Sequence, residues 1–235
     1  MQVWLDVFGV RGAHRASALS FMARHRRPIR RLPEIRFAKL MGTGSGDTFT
    51  MGDADLGHWA ILTVLEGDTD SAAAAAREAF LSSRAAEQWR SISHESAHIR
   101  MRPLHSHGTW SGRRPFDTEP IRPDSDQPVA SITRARLRPR MIPVFWRSVP
   151  RVVADLREDP AVRFTLGIGE APIGLQGTFS IWSSGRSMSD FAYRRPAHRA
   201  AIERTHELQW YSEELFARFA VESIEGTYRG RSLLG

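Results

Sequence analysis

The chain contains no cysteine. It therefore has no disulfide framework, no thiolate nucleophile and no cysteine-ligated zinc or iron–sulfur centre, which fits a reducing compartment and makes a cytoplasmic location the expectation. No apolar run approaches the roughly 18 residues that a membrane-spanning helix requires. The opening MQVWLDVFGV has neither the basic leader nor the small-residue cleavage site of a secretion signal. A secreted protein and an integral membrane protein are both disfavoured.

Lysine is nearly missing as well: of 33 basic residues only Lys39 is not arginine, and the net charge is +7. The densest basic run, RHRRPIRR at 24–31, has no interleaved aromatic side chains on which bases could stack and no accompanying nucleic-acid motif. It reads as a solvated helix end followed by a loop, and no nucleic-acid partner is expected. MGTGSGDTF at 41–49 lacks the Gly-Lys-Ser/Thr ending of a phosphate-binding loop, and neither it nor GIGEAPIG at 167–174 is followed by a helix. Both read as strand-connecting turns. Glu170, a carboxylate beside glycines, is the one residue there with reach into a cavity.

What the chain does have is a repeat. HGTWSGRRPF at 107–116 is written again as EGTYRGRSLL at 225–234, with Gly108, Thr109, Gly112 and Arg113 answered by Gly226, Thr227, Gly230 and Arg231. Upstream, Pro33, Arg36 and Phe37 recur at one offset as Pro160, Arg163 and Phe164, and HWAILTVLEG matches GTFSIWSSG. Each copy runs strand, helix, strand, Gly-rich turn, strand, helix, strand. The polar, proline-bearing DTEPIRPDSDQP between them reads as a linker. The expected organisation is an N-terminal half 1–116, a linker 117–128 and a C-terminal half 129–235. This order is the ferredoxin-like split arrangement, so the fold class is α+β, with tandem ferredoxin-like repeats packed as a dimeric α/β barrel-type pseudo-dimer. The 41% apolar composition of the 235 residues is enough for such a core.

Individual elements carry their own signals. VASITRARLRP at 129–139 alternates apolar and polar side chains with the period of a half-buried strand. Phe145, Val149, Val152, Val153 and Leu156 recur at helical spacing, with Pro150 expected to kink or delay that helix. VRFTLGIG and GTFSIW are two β-prone runs. A second helix is expected from Pro196 through AHRAAIERTHEL, and a short final strand in FARFAVESIEGTY.

Nine histidines are candidates for metal or acid–base work. His94 and His98 have helical i, i+4 spacing without the carboxylate of a zincin motif, and read as surface-helix residues. His105 and His107 alternate on a strand. His198, framed by Ala197, Ala201 and Ile202 on a helix that covers a sheet, is placed to be a single axial ligand of a haem, with His206 about 80° around the same helix. A partly buried histidine with ordinary hydrogen-bond partners is the competing reading.

Longer blocks carry a resemblance. ITRARLRPRMIPVFWRSVP, FTLGIGEAPIGLQGTFSIW, MSDFAYRRPAHRAAIERTHELQWYSEELFARF and the closing EGTYRGR resemble the spheroidene monooxygenase family, as do FAKLMGTGSGDTFT, HWAILTVLEG and HGTWSGRRPF in the first half. The resemblance implies a haem b-dependent oxygenase of the superfamily shared with aldoxime dehydratases and chlorite dismutases. Characterised members of the family oxidise spheroidene through hydroxylation to a 2-keto product, with dioxygen and external electrons. It makes His198, in the matching AHR, the axial iron ligand, with His206 in reserve. An apolar wall would come from Phe145, Trp146, Phe164, Phe179, Trp182 and Trp210. Arg134 and Arg138 are candidates for propionate pairing or distal hydrogen bonding, since guanidinium keeps its charge and presents a planar fork. Glu170 and Gln176 are further distal candidates.

The expected partners are a lipophilic small molecule and a separate ferredoxin or reductase, because no flavin or nicotinamide fingerprint is present. A homodimer and a peripheral membrane contact are compatible with this reading. Two alternatives stay open: a haem dehydratase on a carbon–nitrogen substrate, and a non-enzymatic carrier or sensor of haem or a hydrophobic ligand.

Overall fold

The structure is a computed structural model; it describes residues 1–45, 50–67, 69–122, 126–171, 174–194 and 210–233. The fold is mixed α/β, with eight strands among the described residues in antiparallel ladders, and the chain divides into two compact units. The first comprises Met1–Thr43, Asp55–Pro103 and Val221–Gly235, and the second Gly44–Ala54 and Leu104–Ala220.

The N-terminal strands are β1 (Gln2–Val10), β2 (Ile35–Gly44), β3 (Ala54–Leu65) and β4 (Ser93–Gly108), in the order β4-β1-β3-β2. Between them lie the helices α1 (His14–Arg24), α2 (Arg26–Arg30), α3 (Asp70–Leu81) and α4 (Arg84–Ile92). The alanine run of α3 starts where the Thr69 hydroxyl accepts from Ala72 N at 3.2 Å, and α4 where Ser83 accepts from Ala86 N at 3.3 Å. The RHRRPIRR run spans the end of α1 and all of α2. One face of the sheet is covered by these helices, and bulky rings fill the interval: Trp4, Phe8, Trp59 and Ile61 from the strands meet Ala18, Ile29, Phe80 and Trp89 from the helices. Phe8 stacks on Trp89 at 5.6 Å.

The later strands are β5 (Val129–Leu137), β6 (Val162–Gly169), β7 (Leu175–Trp182) and β8 (Tyr211–Gly226), in the order β8-β5-β7-β6, with helices α5 (Ile142–Glu158) and α6 (Gly185–Arg194). Registers match those of the first sheet: Trp4 lies opposite Thr63 and Arg100, and Ser131 opposite Ser180 and Arg218. The expected strand–helix–strand order therefore holds in both copies.

Three local expectations change. His94 and His98 lie on β4, not on a helix. Ala97, Ile99 and Met101 are buried with a period of two, and a spacing of four places two residues on one face of a strand as well as of a helix. The final strand is 16 residues rather than short, beginning at Tyr211. α5 begins at Ile142, ahead of position 150, so its start is not delayed by the proline. The expected helix from Pro196 lies outside the described residues.

Candidate functional site

Strand alternation decides which of the proposed site residues share a surface. In the second unit Trp182 packs against Met188 and Phe191 of α6 and Leu156 of α5, so its side of β7 faces the helices. Gln176 stands on that side too. Across the ladders the same side carries Ser131, Thr133 and Ala135 of β5, Thr178 and Ser180 of β7, Thr165 and Gly167 of β6, and Phe216 and Arg218 of β8. Arg134, Phe164, Glu170 and Phe179 stand on the opposite side. The six aromatics therefore do not line one wall: Phe164 meets Phe179 edge-on at 6.2 Å on one face, and Trp182 sits on the other. Phe145 of α5 meets Trp210 edge-on at 6.0 Å and Tyr211 at 6.3 Å. Trp146, its neighbour on α5, is half-buried.

Arg134 is the centre of a clamp that the sequence reading only partly anticipated. Its side chain, 2% exposed, ion-pairs with Glu213 and, at 2.9 Å, with Glu170. Glu170 Oε1 also accepts from Trp110 Nε1 at 2.6 Å, and Glu213 Oε1 accepts from Gly112 N at 2.7 Å and from the Thr109 hydroxyl at 3.2 Å. Burial raises the Glu213 pKa, but the Gly112 amide and the Arg134 guanidinium outweigh it and hold the carboxyl at about 2. The clamp fastens the first copy of the repeated phrase onto β8. Arg134 and Glu170 thus engage each other, and Glu170 also holds the indole of Trp110. Glu213 could have been found from sequence by applying the repeat offset to Glu95.

The second copy of the phrase does the same work in the first unit. Glu95 Oε2 accepts from Gly230 N at 2.9 Å and from the Thr227 hydroxyl at 3.2 Å. In place of an arginine, His58 bridges Glu95 Oε1 at 3.1 Å and Asp55 Oδ2 at 2.7 Å, under the ring of Tyr228. Burial alone lowers the His58 pKa; its two carboxylate partners reverse that and leave it raised. His98 Nδ1 meets Asp6 at 2.7 Å and Ser96 Oγ meets His98 Nε2 at 3.0 Å, but Arg77 grips both Asp6 oxygens at 2.6 and 2.8 Å and satisfies that carboxylate. Among the described residues, no three or more His, Asp or Glu side chains converge to hold a bare metal ion.

The helix-facing side of the second sheet is built from smaller side chains than that of the first. Position for position, Trp4, Asp6, Phe8 and Trp59 of the first sheet correspond to Ser131, Thr133, Ala135 and Gln176. Three rings, each able to bury about 150–250 Å², are replaced by a hydroxyl, a methyl and an amide. Asp6 is fully buried, whereas Thr133, in the middle of a central strand, is exposed, and Thr178 and Thr165 beside it are only half-buried. With four strands about 4.8 Å apart, the result is a platform about 14 Å wide with small side chains at its centre. Arg138, at the β5 exit, donates Nε to the Tyr211 carbonyl at 3.2 Å. His198 and His206 lie outside the described residues.

No protein-family model matches the chain. It is 35% identical over 217 residues to the spheroidene monooxygenase of Rhodobacter capsulatus, covering 92% of this chain and 88% of the relative. To the spheroidene monooxygenase of Cereibacter sphaeroides it is 33% identical over 206 residues, covering 87% of this chain and 61% of the relative. Among solved structures, an aldoxime dehydratase in complex with butyraldoxime superposes with a TM-score of 0.60 at 12% identity, over 99% of this chain and 84% of that one, a likeness of fold alone. On the strength of the sequence identities and their coverage, the chain belongs to the spheroidene monooxygenase family.

Proposed function

We infer that the protein is a haem b-dependent monooxygenase that hydroxylates a lipophilic, carotenoid-like molecule. The observation that carries this reading is the make-up of the second sheet's helix-facing side: at the positions where the first unit has Trp4, Phe8 and Trp59, the second has Ser131, Ala135 and Gln176, beside an exposed Thr133. A planar macrocycle laid on a sheet needs small side chains beneath it, and the large rings of the first unit would leave it no room. His198 would hold the haem iron, a role that rests on the family resemblance. Haem supplies dioxygen activation. The chain has to bind the macrocycle, exclude water and hold an apolar substrate against it.

Those tasks divide over named residues. Gly167 and Ala135 would let the macrocycle approach the backbone, Thr133, Thr165 and Thr178 would offer it hydroxyls, and Phe216 and Trp182 would flank it with apolar surface. Phe145, Trp146 and Trp210 offer the greasy surface for a long substrate. Hydroxylation places one oxygen atom of dioxygen in a C–H bond and releases the other as water, which takes two electrons and two protons from outside the chain. A ferredoxin or reductase is the proposed donor, and the duplicated ferredoxin-like halves are the proposed architecture.

The test is turnover of hemin-loaded protein with an acyclic carotenoid, a reductase system and ¹⁸O-labelled dioxygen. One labelled oxygen per hydroxylated product is expected, with loss of activity in His198→Ala. Unlabelled product, or anaerobic dehydration of an aldoxime in place of oxygenation, would overturn it in favour of the dehydratase.

A further inference from the structure

Among the described residues, no carboxylate pairs with Arg218 of β8. Its side chain stands on the helix-facing side of the second sheet, directly opposite Ser131 in the β5–β8 ladder and diagonal, at about 7–8 Å, to the exposed Thr133. The guanidinium lies 5.4 Å from the centre of the Phe216 ring. Its Nε is fully buried and has no hydrogen-bond partner. The other carboxylates on this face of β8 do not serve it: Glu214 is exposed, and Glu222 is taken by Arg100 at 2.7 Å and Arg102 at 3.4 Å.

The repeat shows what is missing. The position matching Arg218 in the first copy is Arg100, which has the same place opposite β1 and is paired with Glu222. The position matching Glu222 is Leu104, fully buried beside Val129 and Ala220. The duplicated arginine is kept in the second unit while its carboxylate is replaced by leucine. A buried guanidinium N–H left unpaired is costly, and a charge-assisted partner recovers that cost.

We propose that Arg218 binds a carboxylate of the ligand on the platform, a haem propionate. The proposal rests on the haem reading given above. It reassigns the role that the sequence pointed toward Arg134, whose two terminal nitrogens already pair with Glu213 and Glu170, and toward Arg138, whose Nε donates to a backbone carbonyl. Arg218 holds the macrocycle in one orientation on the sheet; it is a positioning residue.

The experiment is a binding titration, read by Soret absorbance without turnover. Wild-type protein, Arg218→Gln and Arg218→Lys are each titrated with hemin and with hemin dimethyl ester, in which both propionates are capped. Arg218→Gln should weaken hemin binding about tenfold or more and leave binding of the diester unchanged, which also shows that the variant is folded. Arg218→Lys should recover part of the loss. Equal weakening toward both porphyrins, or no weakening toward either, overturns the assignment of Arg218 while leaving the haem reading intact. A wild-type protein that binds neither porphyrin overturns both.

Discussion

Gly112 donates its backbone N–H to the Glu213 carboxylate at 2.7 Å, and Gly230 does the same to Glu95 at 2.9 Å. The repeated Gly-Thr-aromatic phrase is therefore a carboxylate-capping turn, used once in each unit. Both of its glycines have positive φ, but for different reasons. At Gly108, φ +86°, an added Cβ would collide with the Glu214 carbonyl oxygen, and at Gly226, φ +81°, with that of Ser96. At Gly112, φ +70°, nothing lies within 4 Å.

Gly112→Ala should accordingly cost about 1 kcal/mol, the ordinary penalty of a left-handed backbone. Gly108→Ala and Gly226→Ala should cost several times that, since backbone must move as well. Urea unfolding of the three variants checks the ranking; equal losses would show that space around the turn is irrelevant.

Glu213 predicts an acid limit. Its carboxyl is held at about 2 in the fold, against an ordinary value of 4.5. A depressed carboxyl contributes stability that is present above the unfolded value and is lost as pH falls from about 4.5 toward 2, on the order of 3 kcal/mol here. Glu213→Gln should be less stable than wild type at pH 7 by about that amount, and the gap should close by pH 2. Thermal melts across this range test it; a gap independent of pH would refute the linkage.

His58 predicts the alkaline counterpart. Burial opposes its protonation, but Asp55 and Glu95 raise its pKa above the ordinary 6.5. A raised group contributes stability that is fully present below pH 6.5 and is lost as pH climbs through the folded value. The wild-type melting temperature should fall over that interval, by about 2–4 °C for each kcal/mol lost, while His58→Gln melts lower at pH 6 and without that slope. Hydrogen exchange of the Gly230 amide should quicken in parallel. Parallel slopes in the two proteins would contradict the account.

The repeat in the sequence announced two copies of one layout, and the alternation of VASITRARL and the stripe of α5 were enough to place β5 and its helix. The face each residue takes was not legible, because it depends on register across strands. Phe164, Phe179 and Trp182 are equally aromatic in sequence, and only the pairing of Phe164 with Ile181 and of Val129 with Trp182 separates them. Arg134 drew notice for its charge, yet its partners Glu170 and Glu213 lie 36 and 79 residues away in the chain. Arg218 passed unnoticed because the signal is an absence: Leu104 where the matching position holds Glu222. The platform was hidden for the same reason. Ser131, Thr133 and Ala135 are unremarkable until set beside Trp4, Asp6 and Phe8.

The central claim is that this platform receives haem, and substitution at its most open point addresses it most directly. Thr133→Trp puts back an indole of the kind that fills the first unit, at an exposed position where the effect on folding should stay within about 0.5 kcal/mol. Hemin titration followed by the Soret band, with thermal melts of the apo proteins as control, should show saturable one-to-one binding by wild type and none by Thr133→Trp. Equal hemin uptake by the two proteins, or none by wild type, would contradict it.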